Sequence, residues 1–261
     1  MELTVLGCSG SGPGPDSPSS GYLVRAGGHT LALDLGNGTL GALQRHLDPF
    51  ALDALLLSHL HPDHCADLSS LVVYRRYHPR PPYPVTEHRL PVYAPAEASD
   101  RLAAQYGASA AERAETELSD VLDFQVVHDR ARIEVAGCTV LARRVDHVVE
   151  SYALRVEHGG RSLAYSGDTG PCEALVDLAT GADVLLCEAT WPHVWPGCPG
   201  PPRGIHLSGT EAGEHAAAAG VQRLLITHVP VWFDGAELLA EAEGSFPGPV
   251  ELVRAGASYQ V

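Results

Sequence analysis

The chain has 261 residues, of which 45% are hydrophobic and 19% charged, enough to bury a sizeable core and too apolar for a disordered chain. Its formal net charge of −15 argues against a broad electrostatic grip on nucleic acid, which needs a basic surface. No apolar run reaches the ~18 residues of a membrane span, and Met1–Gly7 lacks the basic and apolar segments of a secretory signal, so a cytoplasmic location is expected.

In chain order, Glu2–Leu6, Tyr22–Arg25, Thr30–Asp34 and Ala54–Ser58 read as strands ending in Gly, Asp or Ser turns. Thr39–Leu47 reads as a first helix and Leu68–Tyr77 as a second. The segment His78–Pro84 carries too many prolines for regular structure. Pro91–Ala94 follows as a strand and Ala96–Gln105 as a helix. Phe124–Val127, Arg132–Val135, Thr139–Val145, Tyr152–Val156 and Ser162–Tyr165 then read as consecutive antiparallel strands. The helix and strand rhythm returns with Cys172–Ala179, Val184–Cys187, Ser208–Ala219, Leu224–Thr227, Ala236–Glu243 and Val250–Val253. Ser208 and Glu211 have the spacing of a capping box that opens a helix. A Pro/Gly-rich segment from Trp191 to Gly204, holding His193 and Trp195, reads as a long surface loop. Cys8, Cys65, Cys138, Cys172, Cys187 and Cys198 form no CxxC pair and read as free thiols of a reducing compartment. Without a repeat or a low-complexity linker, residues 1–261 are expected to form one α/β domain, two β-rich halves with helices outside, a four-layer αββα sandwich.

The 14 histidines are the compositional oddity. After the apolar run Ala54–Leu57 comes Ser58-His59-Leu60-His61-Pro62-Asp63-His64. His59 and His61 alternate at a strand end and can face one metal ion. Pro62 favours a turn into a helix N-terminus, which swings Asp63 and His64 toward a second. Imidazole and carboxylate ligands suit zinc, manganese or iron.

This HxHxDH run resembles the signature of the metallo-β-lactamase superfamily. Three later segments match that superfamily's remaining ligand pattern: Val145-Asp146-His147, Ser166-Gly167-Asp168-Thr169 and Thr227-His228. The resemblance implies His59, His61 and His147 on one metal, Asp63, His64 and His228 on the other, and Asp168 bridging. Two divalent ions are implied, Zn2+ first, with Mn2+ or Fe2+ compatible.

Two further motifs resemble the ribonuclease Z-like branch: Glu188-Ala189-Thr190 and His206-Leu207-Ser208. In that branch the histidine sits near the scissile phosphate and the glutamate positions it, which implies His206 as proton donor, Glu188 as its holder and Asp63 as the group that orients or deprotonates water. The protruding arm of tRNA-processing ribonuclease Z has no room in the 21 positions from His147 to Asp168. The segments Leu6–Ser11, Pro15–Leu23 and Arg75–Pro79 are similar to the actinobacterial ribonuclease Z-like phosphodiesterases described as atypical class II enzymes, which hydrolyse 3′,5′-cyclic AMP. The expected activity is therefore hydrolysis of a small cyclic nucleotide. The Leu6–Ser11 opening reads as a backbone lip or a plain turn, and Trp191, Trp195, Tyr77 and Arg75 read as surface packing or as contacts to base or phosphate. The alternatives are a tRNA 3′-processing endonuclease, a lactone, thioester or β-lactam hydrolase, and a non-catalytic nucleotide- or metal-binding regulator. A small-molecule nucleotide is the expected partner, with no membrane and no stable nucleic-acid complex. A homodimer is implied by the resemblance alone.

Overall fold

The structure, a computed structural model, describes residues 1–194 and 204–261; Trp195 and Cys198 lie outside the described residues. Six strands come first: β1 (Glu2–Gly7), β2 (Gly21–Ala26), β3 (His29–Leu33), β4 (Ala54–Leu56), β5 (Leu90–Ala94) and β6 (Leu122–Val126). Eight follow: β7 (Arg132–Val135), β8 (Cys138–Arg144), β9 (Tyr152–His158), β10 (Arg161–Tyr165), β11 (Val184–Glu188), β12 (Arg223–Thr227), β13 (Val250–Leu252) and β14 (Ser258–Gln260). The helices are α1 (Thr39–Leu43), α2 (Pro62–Cys65), α3 (Leu68–Tyr77), α4 (Ala98–Tyr106), α5 (Ala110–Glu115), α6 (Glu173–Ala179), α7 (Gly209–Ala219) and α8 (Gly235–Ser245). Among the described residues no helix is long and apolar enough to cross a membrane.

The strands form two seven-stranded sheets, ordered β14-β1-β2-β3-β4-β5-β6 and β13-β12-β11-β10-β9-β8-β7. Apolar residues on both faces of each sheet explain the layering. Along β2, Tyr22 and Val24 join the core between the sheets, while Leu23 joins an outer core with Leu43, Leu71 and Val72. Along β11, Val184 and Leu186 point inward, while Leu185 and Cys187 face Leu175, Ala212 and Leu238. A strand's side chains alternate, so a run that is apolar at every position must be covered on both sides. The result is helix, sheet, sheet, helix, the αββα sandwich expected from the sequence.

The two sheets meet at their carboxyl ends. β3 through β6 run parallel, as do β10 through β13. β9 is antiparallel to both β8 and β10, so β8 runs the same way as β10. The Tyr152 amide donates to the Ser58 carbonyl at 2.9 Å, joining the segment after β4 to β9. The loops after β4, β8, β10, β11 and β12 therefore open at one edge.

Several expectations change. The segment expected to start an antiparallel run at Phe124 is instead β6, which pairs parallel with β5 in the first sheet. The chain crosses to the second sheet only after it. Helix Thr39–Leu47 ends at Leu43, and residues 44–47 continue as turns. The short α2 is the helical turn expected at Pro62, whereas α5 and the edge strand β14 were not expected. The capping box forms both of its hydrogen bonds: Ser208 Oγ accepts from the Glu211 amide, and Glu211 accepts from the Ser208 amide. Cys8, Cys65, Cys138, Cys172 and Cys187 are free thiols.

Candidate metal centre and active site

β4 is buried throughout and delivers Ser58 and His59 to the edge. His61 caps α2 in an extended conformation, and Pro62 occupies the first helical position, where its fixed φ fits and its missing N–H costs nothing. One short turn thus aims His59 and His61 from its extended side and Asp63 and His64 from its helical side. His147 follows β8, Asp168 follows β10, Glu188 ends β11, and His228 follows β12 with φ of 59°. A side chain in that left-handed region is strained by ~1–3 kcal/mol. The surroundings hold it there: a Cβ on Gly10 would lie 2.3 Å from the His228 carbonyl oxygen and 2.9 Å from its Nδ1. Gly10 therefore packs directly against His228.

The side chains gather in two groups that share Asp168. His59 Nε2 lies 3.0 Å from His61 Nδ1, His147 Nε2 lies 3.3 Å from the same atom, and Asp168 Oδ2 lies 3.6 Å from His59 Nε2. On the other side, His64 Nε2 and His228 Nε2 are 3.2 Å apart. Asp168 Oδ1 lies 3.2 and 3.4 Å from them, and Asp63 Oδ2 lies 3.6 and 3.3 Å. Each oxygen of Asp168 thus faces a different group.

The far ring nitrogens show which protons these histidines carry. His64 Nδ1 lies 2.8 Å from Asp34 Oδ2 and donates to it. Ser58 Oγ donates to Asp34 Oδ2 at 2.8 Å, so it accepts from His59 Nδ1 at 3.0 Å. His147 Nδ1 donates to the Ile205 carbonyl at 2.7 Å. Thr190 Oγ1 donates to Glu188 Oε2 at 2.6 Å and accepts from His228 Nδ1 at 2.9 Å. In these four histidines the outward nitrogen is a donor, which turns the lone pair of Nε2 inward, while His61 faces the group with Nδ1. Lone pairs converging at this spacing repel unless a cation sits among them. Among the described residues, buried Asp168 Oδ1 has no hydrogen-bond partner. Buried His64 is nevertheless pushed well above the ordinary imidazole pKa, because Asp168 and Asp34 outweigh its desolvation. The cluster recruits positive charge, and its donors fit divalent metal ions.

Asp34 and Tyr165 escaped the sequence reading, and Ser58 and Thr190 stood in its motifs without a role. Fully buried Asp34 accepts from the Ser58 amide and hydroxyl, His64 and the Tyr165 hydroxyl, all at 2.7–2.8 Å. Its position at a strand end two residues before Gly36 was the available signal. A Cβ on Gly36 would lie 1.9 Å from the Asp63 carbonyl oxygen, so only glycine lets α2 come this close. Asp34→Asn turns an amide donor toward at least one existing donor, and its metal affinity is expected to fall ~10–100-fold. Competition with a coloured chelator measures this, and wild-type affinity in the variant would remove Asp34 from the support of the cluster.

His206 stands outside the two groups that share Asp168 and forms a third, smaller group with Glu188 and His228. Its Nδ1 lies 3.1 Å from both oxygens of Glu188, and its ring packs 5.1 Å from Trp191, 5.3 Å from His147 and 5.5 Å from His228. Glu188 is fully buried and also accepts from the Thr169 amide at 2.6 Å. Burial opposes protonation of His206, but the Glu188 carboxylate, helped by Asp168, pushes its pKa up to about 9. Trp191 is mostly buried against His206. Of the two readings of Arg75, packing holds and the ligand contact does not. Arg75 is 1% exposed, donates to the His88 carbonyl at 2.8 Å and packs over Phe50 and Tyr83, so it anchors the proline-rich segment and cannot reach a ligand. Tyr77 is exposed at the end of α3.

This fold and this cluster agree with the chain's relatives. A model of the β-lactamase superfamily domain matches residues 17–229. An uncharacterized protein of Mycobacterium tuberculosis is 48% identical over 264 residues, covering 100% of this chain and 92% of that protein. A ribonuclease Z of Mycolicibacterium paratuberculosis is 32% identical over 269 residues, covering 97% and 95%. The crystal structure of the metallo-β-lactamase fold protein YhfI from Bacillus subtilis superposes with a TM-score of 0.83 at 25% identity, covering 99% of both chains. The chain belongs to the metallo-β-lactamase superfamily, as one of its metallo-hydrolases.

Proposed function

We propose that this protein is a dinuclear metal-dependent phosphodiesterase that hydrolyses small cyclic nucleotides, 3′,5′-cyclic AMP first, to the 5′-monophosphate. The observation that carries the reading is the pairing of His206 with buried Glu188 beside a carboxylate, Asp168, whose two oxygens face two separate ligand groups. In this reading His59, His61, His147 and Asp168 hold one ion, and Asp63, His64, His228 and Asp168 hold the other. Divalent ions there supply Lewis acidity, lowering the pKa of water and neutralising phosphate charge.

The chain's own groups do the rest. Asp63, buried on the first turn of α2, orients the attacking water and accepts its proton. As the O3′–P bond breaks, the alkoxide needs a proton. His206 holds one, because Glu188 keeps its pKa high and fixes Nδ1, leaving Nε2 to deliver it.

The size of the substrate follows from the span between His147 and Asp168. It is filled by the β9–β10 hairpin, turning at Gly159 and Gly160, both at positive φ, and no arm projects from it. With the acidic net charge, this favours a mononucleotide over tRNA. A panel of cyclic AMP, cyclic GMP, a lactone and a precursor tRNA tests the reading on the metal-loaded protein. Cyclic nucleotides are expected to turn over fastest. Faster processing of precursor tRNA or lactone would overturn it.

A further inference from the structure

Beside the cluster, a cavity of about 410 Å³ is lined by Leu60, His61, Pro62, Pro95, Glu97, Arg101, Val149 and Glu150. A larger one of about 530 Å³, between Pro13–Pro18 and Arg45, contains none of the cluster residues. The smaller cavity opens directly on His61, so a phosphodiester held at the cluster leaves its organic portion next to it. Leu60, Pro62, Pro95 and Val149 give it apolar walls, suited to a flat ring system. Its charged groups are few. Arg101 reaches only Gln105 Oε1, at 3.4 Å, and makes no ion pair among the described residues. Glu97 begins α4 without capping it, so its carboxylate is free of the helix amides. Glu150 is held in place by the Tyr152 hydroxyl at 2.6 Å. A donor with spare hydrogen-bonding capacity and two acceptors between apolar walls match a heteroaromatic base that carries both ring nitrogens and an exocyclic amine.

We propose that this pocket binds the aminopurine base of the nucleotide substrate, with Arg101 donating to a ring nitrogen, Glu97 accepting from the exocyclic amine and Val149 packing on the ring face. The proposal rests on the cyclic-nucleotide reading for its substrate, and it makes Arg101 and Val149 specificity determinants remote from the proton chemistry.

The test separates binding of the base from turnover. Adenosine 5′-monophosphate and ribose 5-phosphate share a phosphate and a sugar and differ in the base. Calorimetric titration of each into the metal-loaded protein gives an affinity ratio that reads the base contribution alone. A hydrogen bond to a charged group is worth about ten- to a hundredfold in affinity. The wild type is therefore expected to prefer the adenine nucleotide by about tenfold or more. Arg101→Ala, which deletes the donor, and Val149→Trp, which fills the pocket from a half-exposed position, are expected to bring that ratio close to one. Both variants should also raise KM for cyclic AMP while leaving kcat close to wild type. A ratio near one in the wild type, or a ratio unchanged in both variants, would overturn the pocket. Failure of the wild type to hydrolyse cyclic AMP, with the base preference intact and lost in the variants, would instead overturn the proposed reaction and leave the pocket standing.

Discussion

His206→Ala is expected to retain both ions and lose ~10²–10⁴-fold in kcat for cyclic AMP, the usual contribution of a positioned general acid. The ring belongs to neither group that shares Asp168, so its removal leaves their donors in place, although Glu188, His206 and His228 form a third ligand-capable group beside them. The size of the loss depends on the leaving group. Ring opening of a 3′,5′-cyclic diester expels a poor alkoxide, which needs a proton in the transition state. A nitrophenolate departs without one, so on a nitrophenyl phosphodiester the variant is expected to keep far more of its activity. Equal losses on both substrates would assign His206 to substrate positioning, and loss of metal would place it among the ligands. Glu188→Gln supplies the pH counterpart. An acid works while it holds its proton, so activity persists below its pKa and falls as pH rises through it. Glu188 is the largest influence raising the His206 pKa to about 9. Removing its charge moves the alkaline limb of kcat to lower pH, and an unmoved limb in Glu188→Gln would detach the limb from His206.

Asp168→Ala is expected to be more damaging still. Its oxygens face separate groups, at 3.6 Å from His59 Nε2 and 3.2 Å from His64 Nε2, so one truncation removes a ligand and a negative charge from both sides. Burial alone would favour the neutral acid, yet His228, His64 and His59 hold its carboxyl well below the usual carboxylate range. The variant should lose metal affinity by more than the ~10–100-fold typical of groups one step further out, with activity falling in parallel. Elemental analysis reads this. Two tightly held ions per chain in Asp168→Ala would deny its bridging role. Asp168→Asn, which keeps the shape, serves as control for folding.

What the sequence disclosed follows physical locality. The run His59-Leu60-His61-Pro62-Asp63-His64 was legible because four side chains of one chemistry sit within a single turn. The capping box at Ser208 and Glu211 was legible for the same reason. Asp34 was not, because its role is set by partners far along the chain: Tyr165 lies 131 positions away, and His64 and Ser58 arrive on other elements. A lone aspartate at a strand end gives no sign of which donors will converge on it. The same limit explains β6. The residues Leu122–Val126 show strand character, but pairing with β5 depends on the crossover through α4 and α5, which places them in the first sheet. For Arg75 the sequence left packing and a nucleotide contact both open, because the partners that decide, Phe50 and Tyr83, come from other segments and bury the guanidinium.

The central claim is that the convergent lone pairs of five histidines, together with Asp63 and Asp168, hold two ions that hydrolysis of a cyclic nucleotide requires. Stoichiometric metal titration of chelator-stripped protein, followed by cyclic AMP turnover at each addition, tests it most directly. The account predicts that activity is absent without metal, rises with added metal and reaches its plateau at two equivalents per chain. Turnover in the stripped protein, a plateau at one equivalent, or a fully loaded protein inert toward cyclic nucleotides would contradict it.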